Sequence, residues 1–177
     1  MLLTLFLISL NYIRIFVRKV FLGKRFRVHR IQRISIHASM KVYDKGVLEI
    51  GKNCDFAPYS VVEVHGSGKL TIGAKTYFNR YCMVSAHDNV SIGKGCMLGP
   101  GVKIFDNDHL HDPENGVSTK LKTKSIVIGD NTWLGSDVKV LKGAKIGRNC
   151  VIGAGCIIRG EVPDGSVVVC KQVLIVK

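Results

Sequence analysis

The residues best suited to chemistry lie in the stretch GVKIFDNDHLH at residues 101–111, where Asp106 and Asp108 lead into His109 and His111. An imidazole with its ordinary pKa near 6.5 is mostly neutral at pH 7, so it can take a proton from a hydroxyl that attacks a carbonyl. A base placed for that task typically contributes about 10²- to 10⁴-fold. Either aspartate can orient such a ring or hold a hydroxyl-bearing acceptor. Pro113, Asn115 and Gly116 then give the segment turn character. Elsewhere, Asn79 stands in the block FNRY, and the only tryptophan, Trp133, in NTWLGS. His29, His37, His65 and His87 fall in basic or corner sequence and join no constellation; His87 reads as an exposed corner residue. The six cysteines include no CxxC pair and no Cys/His spacing suited to zinc, so no metal is expected.

What must position these residues is a repeat. From Ile128 onward every sixth residue is aliphatic: Ile128, Leu134, Val140, Ile146, Ile152 and Ile158, with glycine next at 129, 135, 147 and 153. A period of six fits neither a helix nor a simple strand alternation. It fits a hexapeptide β-helix, in which each block is a short strand and a turn, three blocks make a triangular coil, and stacked coils bury the aliphatic columns. The same register appears at Ile92–Leu98–Ile104, Ile72–Phe78–Val84 and Ile50–Phe56–Val62, and more weakly at Ile36–Val42–Leu48. The slips from Ile50 to Ile72 and from Ile72 to Ile92 are four and two residues beyond three sixes, which marks enlarged corners. Between Ile92 and Ile128 about 18 extra residues intervene, so a long loop at about 106–125 leaves the prism. Cys54, Cys82, Cys96, Cys150 and Cys156 each sit two residues before a ladder aliphatic, an inward slot for a small side chain. Reduced thiols and a cytoplasmic location follow.

Residues 1–34 form a separate segment ahead of a β-helix domain at 35–177. The first 22 residues are mostly apolar, with Thr4, Asn11, Arg14 and Arg18 as a narrow polar stripe at helical spacing. Eight Lys or Arg fall from Arg14 to Arg33, and no acid precedes Asp44. The whole chain carries 26 Lys plus Arg against 13 Asp plus Glu, a net charge of +13 that suits an anionic partner. The basic run has few interleaved aromatics and matches no nucleic-acid module, so nucleic acid is not an expected partner. The apolar run of Met1 to Leu10 is too short to span a bilayer, and the segment lacks the marks of a signal peptide. An in-plane helix on an anionic membrane face, or a cap on the open end of the prism, is expected.

The ladder and the NTWLGS segment resemble the hexapeptide-repeat acyltransferases, in the sugar O-acetyltransferase branch of the galactoside and maltose enzymes. The resemblance covers about residues 36–167. It implies an all-β fold: a left-handed parallel β-helix of hexapeptide repeats with a short N-terminal α-helix and one long protruding loop, assembled as a homotrimer. It implies acetyl transfer from acetyl-CoA directly to a sugar hydroxyl, without metal, with His109 as general base and His111 as its rival. Asn79, Asp106, Asp108 and His111 are then the expected acceptor contacts. Trp133, Gly135, Ser136, Ala154, Arg159 and Lys171 are the expected contacts to the cofactor. In that family Trp133 flanks the pantetheine arm and small residues let backbone amides approach the thioester. Lys142 and Lys145 are further candidates for its phosphates. The chain departs from the family after PDGSVV, where Val169, Cys170, Lys171, Gln172 and Val173 replace the usual Ala-Gly-x-Pro-Ala, and it reaches Lys177 without the usual closing helix. The basic N-terminus favours a lipid-linked or cell-surface polysaccharide precursor as acceptor. Serine or amino-sugar acetyl transfer and a non-catalytic scaffold are the alternatives. A γ-class carbonic anhydrase, built on the same coil, would need metal-ligand spacing that His87, His109 and His111 do not have.

Overall fold

The computed structural model describes residues 2–171, with side chains from Ser9. Thr4 of the polar stripe, and the departures at Gln172 and Val173, lie outside what it describes in that detail. One helix, α1 (Leu2–Leu22), leads through a 3₁₀ turn (Gly23–Arg25) into strands of two to four residues. These stack as three parallel sheets of seven, seven and six strands, the three faces of a prism with six full coils and the start of a seventh. The first face begins at Phe26–Val28, the second at Arg33–Ile34 and the third at Ser39–Val42. The coils therefore start ahead of residue 35.

The ladder is the core. Ile50, Ile72, Ile92, Ile128 and Ile146 stack behind the first face, Phe56, Phe78, Leu98, Leu134 and Ile152 behind the second, and Val62, Val84, Ile104, Val140 and Ile158 behind the third, all buried. The opening coil differs from expectation. Its inward residues are Val28, Ile34 and Met40, whereas Ile36 is 57% exposed, Val42 only half-buried, and Leu48 belongs to the next coil. Two aliphatic residues two apart, Ile34 and Ile36, make the phase ambiguous, because both have the parity of an inward position.

The motif's glycines have a steric cause. A Cβ on Gly129 would lie 2.4 Å from the Arg148 nitrogen of the coil above, and one on Gly73 would lie 2.3 Å from the Lys94 nitrogen. Corners stack too closely for any side chain there. The small inward slot beside the second face is also explained. Going up the prism it holds Gln32, Cys54, Thr76, Cys96, Thr132 and Cys150, thiols alternating with other donors. Thr76 Oγ1 donates to the Gly93 carbonyl at 2.9 Å, Thr132 Oγ1 to Gly147 at 2.8 Å, and the Cys96 thiol to Gly129 at 3.2 Å. Each side chain satisfies a corner carbonyl of the next coil. All six cysteines are free, and burial pushes the Cys82 thiol up to about 11, so it stays protonated.

Phe78 is fully buried, its ring 4.7 Å from that of Phe56 one coil below. Phe78→Ala is expected to cost about 3–5 kcal/mol. Urea denaturation reads it, and a loss below about 1 kcal/mol would contradict a core built from stacked rings.

Candidate active site

Where a loop was expected, the chain leaves the third face as an antiparallel hairpin, Asn107–Asp112 paired with Gly116–Thr123. Its root is Asp106. Ile104 points into the prism and Phe105 out, so Asp106 points in again and is fully buried. Its carboxylate accepts from the backbone N–H of His87 at 2.9 and 3.1 Å, that of Asp88 at 2.8 Å, and the Asn107 amide at 3.3 Å. Ser125 Oγ, at the other foot of the hairpin, donates to the Asp88 carboxylate at 2.9 Å. This corrects the expectation for Asp106. Its oxygens are occupied by the corner one coil below, and it anchors the hairpin instead of meeting an acceptor. Asp108 forms an ion pair with Lys142, on the coil above. The hairpin is thus tied to coils on both sides of its own.

His109 is exposed on the first hairpin strand, and its Nδ1 lies 2.9 Å from the Ser118 carbonyl on the second. A carbonyl only accepts, so Nδ1 carries the hydrogen and the lone pair of the neutral ring resides on Nε2. His111 lies past a bulge, opposite Val117. Beneath the hairpin His87 stacks on His65, with centroids 4.4 Å apart and planes within 6°, and His65 stacks on Tyr43 at 4.7 Å. His87 is half-buried, not the exposed corner residue expected. Its imidazole is held below its usual pKa, first by burial and then by His65 and His109, against the raising effect of Asp106. The stack has a signal in the sequence, since Tyr43, His65 and His87 recur at intervals of 22, the length of a coil there.

The remaining expected residues lie elsewhere. Trp133 is on the outer side of the second face, 47% exposed, in register with Met97 below and Val151 above. Asn79, Gly135, Ser136, Ala154 and Lys171 follow second-face strands and line the edge toward the third face. Asn79 borders a cleft of about 580 Å³ with Arg33, His37, Tyr77 and Arg80. Gly135 is buried, and a Cβ there would meet the Ala154 nitrogen at 2.7 Å, so corner stacking accounts for this glycine. Gly155, by contrast, faces open space beside the exposed Ala154. An exposed indole beside such a small-residue corner fits a thin, extended acyl carrier. Arg159 follows the third face, on the hairpin's own edge two coils higher. Among the described residues Arg159 and Lys171 enter no ion pair, whereas Lys142 and Lys145 are engaged by Asp108 and Glu161. Within one chain, His109 and Arg159 share one edge, while Asn79, Ser136 and Ala154 share another.

Removing the Asp106 carboxylate strands two corner N–H groups, so Asp106→Ala is expected to destabilise by about 2–3 kcal/mol in urea melts. The lowered pKa of His87 fixes a sign. Below the ordinary imidazole value near 6.5 the unfolded chain binds the proton more readily than the folded one, so stability falls as pH falls through that window. His87→Gln should flatten the slope in melts between pH 5 and 7, and an unchanged slope would contradict the assignment.

Residues 125–160 match the family described as bacterial transferase hexapeptide (six repeats). The chain is 37% identical over 79 residues to a galactoside O-acetyltransferase of Lactococcus lactis, covering 45% of this chain and 38% of that protein. It is 32% identical over 101 residues to the putative lipopolysaccharide biosynthesis O-acetyl transferase WbbJ of Escherichia coli, covering 51% of this chain and 50% of that one. The chain thus spans half or less of the length of these relatives. Among solved structures it is similar in fold to AntD, an N-acyltransferase from Bacillus cereus in complex with dTDP and coenzyme A, with a TM-score of 0.68 at 19% identity over 85% of this chain and 81% of that one. With its six-residue ladder and stacked coils, the chain is similar over residues 125–160 to the hexapeptide transferases, and similar to them in fold beyond that stretch.

Proposed function

We propose that the chain transfers an acetyl group from acetyl-CoA to a sugar hydroxyl, with His109 as general base. The observation that carries this reading is the bond between His109 Nδ1 and the Ser118 carbonyl, which leaves Nε2 as the basic nitrogen on an exposed, anchored hairpin. Acetyl-CoA supplies a thioester-activated acetyl group. His109 Nε2 takes the hydroxyl proton as the acceptor oxygen bonds to the acetyl carbon, and the proton leaves with the coenzyme A thiolate. Trp133, Ser136 and Ala154 would hold the carrier arm, and Arg159 and Lys171 its phosphates. Asn79, Asp108 and His111 are the acceptor contacts that remain, Asp108 through the carboxylate oxygen its lysine leaves over. The named activities of the galactoside and lipopolysaccharide relatives support oxygen over nitrogen as the acceptor atom, and a cell-surface polysaccharide or lipid-linked precursor as the acceptor class.

The working unit in this reading is a homotrimer. The outer side of the second face carries Tyr77, Met97, Trp133, Val151 and Val167 in one row, an apolar strip. A neighbour seated there would bring the hairpin edge of one chain to the small-residue edge of the next. The location is the cytoplasm, at the inner face of the membrane.

Release of free thiol from acetyl-CoA against a panel of sugars and lipid-linked glycans tests the chemistry. His109→Ala is expected to lower kcat by about 10²- to 10⁴-fold with the fold intact, and His111→Ala to leave it within a few-fold. Near-normal turnover in the His109 variant would overturn the assignment. Trp133→Ala should raise KM for acetyl-CoA more than it lowers kcat.

A further inference from the structure

Helix α1 is amphipathic in the inverted sense. Three of its polar residues face the protein: Asn11 Nδ2 donates to the Ile34 carbonyl at 2.9 Å, Arg14 to Ser35 at 3.4 Å, and Arg18 to the Met40 carbonyl. The cause is the open end of the prism. Neighbouring coils exchange N–H and carbonyl groups, Ser35 N–H donating up to Phe56 at 2.9 Å and Tyr59 N–H down to His37 at 3.3 Å, so the first coil is left with backbone groups, the Ile34 and Met40 carbonyls among them, that no coil below can pair. Asn11, Arg14 and Arg18 supply donors, and Ile15 fills the hydrophobic centre between them. Asn11, Arg14 and Arg18 of the polar stripe are therefore consumed by the cap. What remains outside is apolar: Tyr12, Ile13, Phe16, Val17, Val20 and Phe21, each at least 45% exposed and Phe21 81%.

The rim of this face is mainly basic, with Asp44, whose carbonyl accepts from Arg25, as an acid beside the turn after α1. Lys19, Lys24 and Arg30 pair with no carboxylate among the described residues, and Arg30 lies 5.9 Å over the ring of Tyr12 at the rim of the apolar surface. We propose that the outer face of α1 docks the protein in the plane of an anionic lipid bilayer, apolar rings in the acyl boundary and the Lys19–Lys24–Arg30 collar at the headgroups. A second copy is the poorer occupant, because an α1–α1 contact would press two collars of like charge together. No helix among the described residues is long and apolar enough to cross a membrane, and Arg14 and Arg18 hold α1 across the prism end. The hairpin leaves the fourth coil, three coil spacings of about 4.8 Å from the first, so with the roughly 10 Å thickness of α1 its root stands about 25 Å from the docked face, within reach of a glycan on a membrane carrier. This deepens the membrane-side placement proposed above and depends on no step of the acetyl transfer.

The test is co-sedimentation of the full chain with phosphatidylglycerol-containing vesicles and with pure phosphatidylcholine vesicles, together with turnover on a soluble sugar. The chain is expected to pellet with the anionic vesicles and to be released in part by high salt. Phe16→Glu with Phe21→Glu should weaken vesicle binding at least about tenfold while urea midpoint, sedimentation mass and soluble-sugar turnover stay put. Lys19→Glu with Lys24→Glu should abolish the preference for anionic lipid. A wild-type chain that stays in the supernatant overturns the proposal. So do phenylalanine variants that lower the sedimentation mass yet still bind vesicles, since the face would then join copies of the chain. Vesicle binding without acetyl transfer to any sugar would leave the docking in place and reject the chemistry.

Discussion

Every coil of this protein is completed by the coil above and the coil below. An inward aliphatic residue escapes water only when its counterparts cover it, and a strand of two residues has no hydrogen bonds of its own to make. It is the column that is stable, with Ile50, Ile72, Ile92, Ile128 and Ile146 in van der Waals succession and the backbone ladder beside them. Stacking at the spacing of a parallel sheet brings corners close enough that Gly73 and Gly129 admit no Cβ. It also leaves a terminal coil with unpaired backbone groups, carbonyls among them. Glycine at the corners, donors in the small inward slot and a donor-bearing helix across the end are three responses to that one constraint.

The candidate site is held by the same stacking. A hairpin of polar residues would be poorly fixed if it merely projected, since two isolated strands are marginal in water. This one is gripped at its root, where Asp106 enters the core layer and receives the N–H groups of the coil below, and on its flank, where Asp108 meets Lys142 of the coil above. A buried carboxylate with several charge-assisted hydrogen bonds is directional in a way that an aliphatic residue is not. It sets the angle at which the hairpin leaves, and with that the place of His109.

Much of this was legible in the residues and some was not, for reasons that can be named. The six-residue ladder is visible because burial selects aliphatic side chains at every third-face, second-face and first-face strand. The opening coil was misplaced by two residues because Ile34 and Ile36 satisfy the same parity, and only the corner decides between them. Asp106 was open to the right reading. It stands two residues after Ile104, and strand alternation sends it inward; attention to its charge obscured its parity. The coil-length interval linking Tyr43, His65 and His87 was equally present, and His37, Tyr59 and Tyr81 repeat it on another edge. The hairpin's strands were illegible, since both sides are solvated and no alternation marks them. Of the two places expected for helix α1, the end of the prism is where it lies, and nothing in a helical wheel says that its polar side chains there meet backbone carbonyls.

A prism of this kind has no interior to offer a ligand. Its core is filled to the axis and its faces are flat, so binding has to be built from what projects: corners, the hairpin and the outer rows of the faces. On a single chain those projections diverge, because edges of a triangle point away from one another. His109 and Arg159 stand on one edge, Ser136 and Ala154 on a second, and Trp133 on the face leading to it. A single chain has a cleft at Asn79, but a cleft lined by both His109 and the small-residue corner would arise only where two prisms lie side by side and the edge of one faces the edge of the next. In the proposed trimer the apolar row through Met97, Trp133 and Val151 would supply the surface for that contact, and the proposed chemistry requires it, because within one chain the base and the small-residue corner stand on different edges.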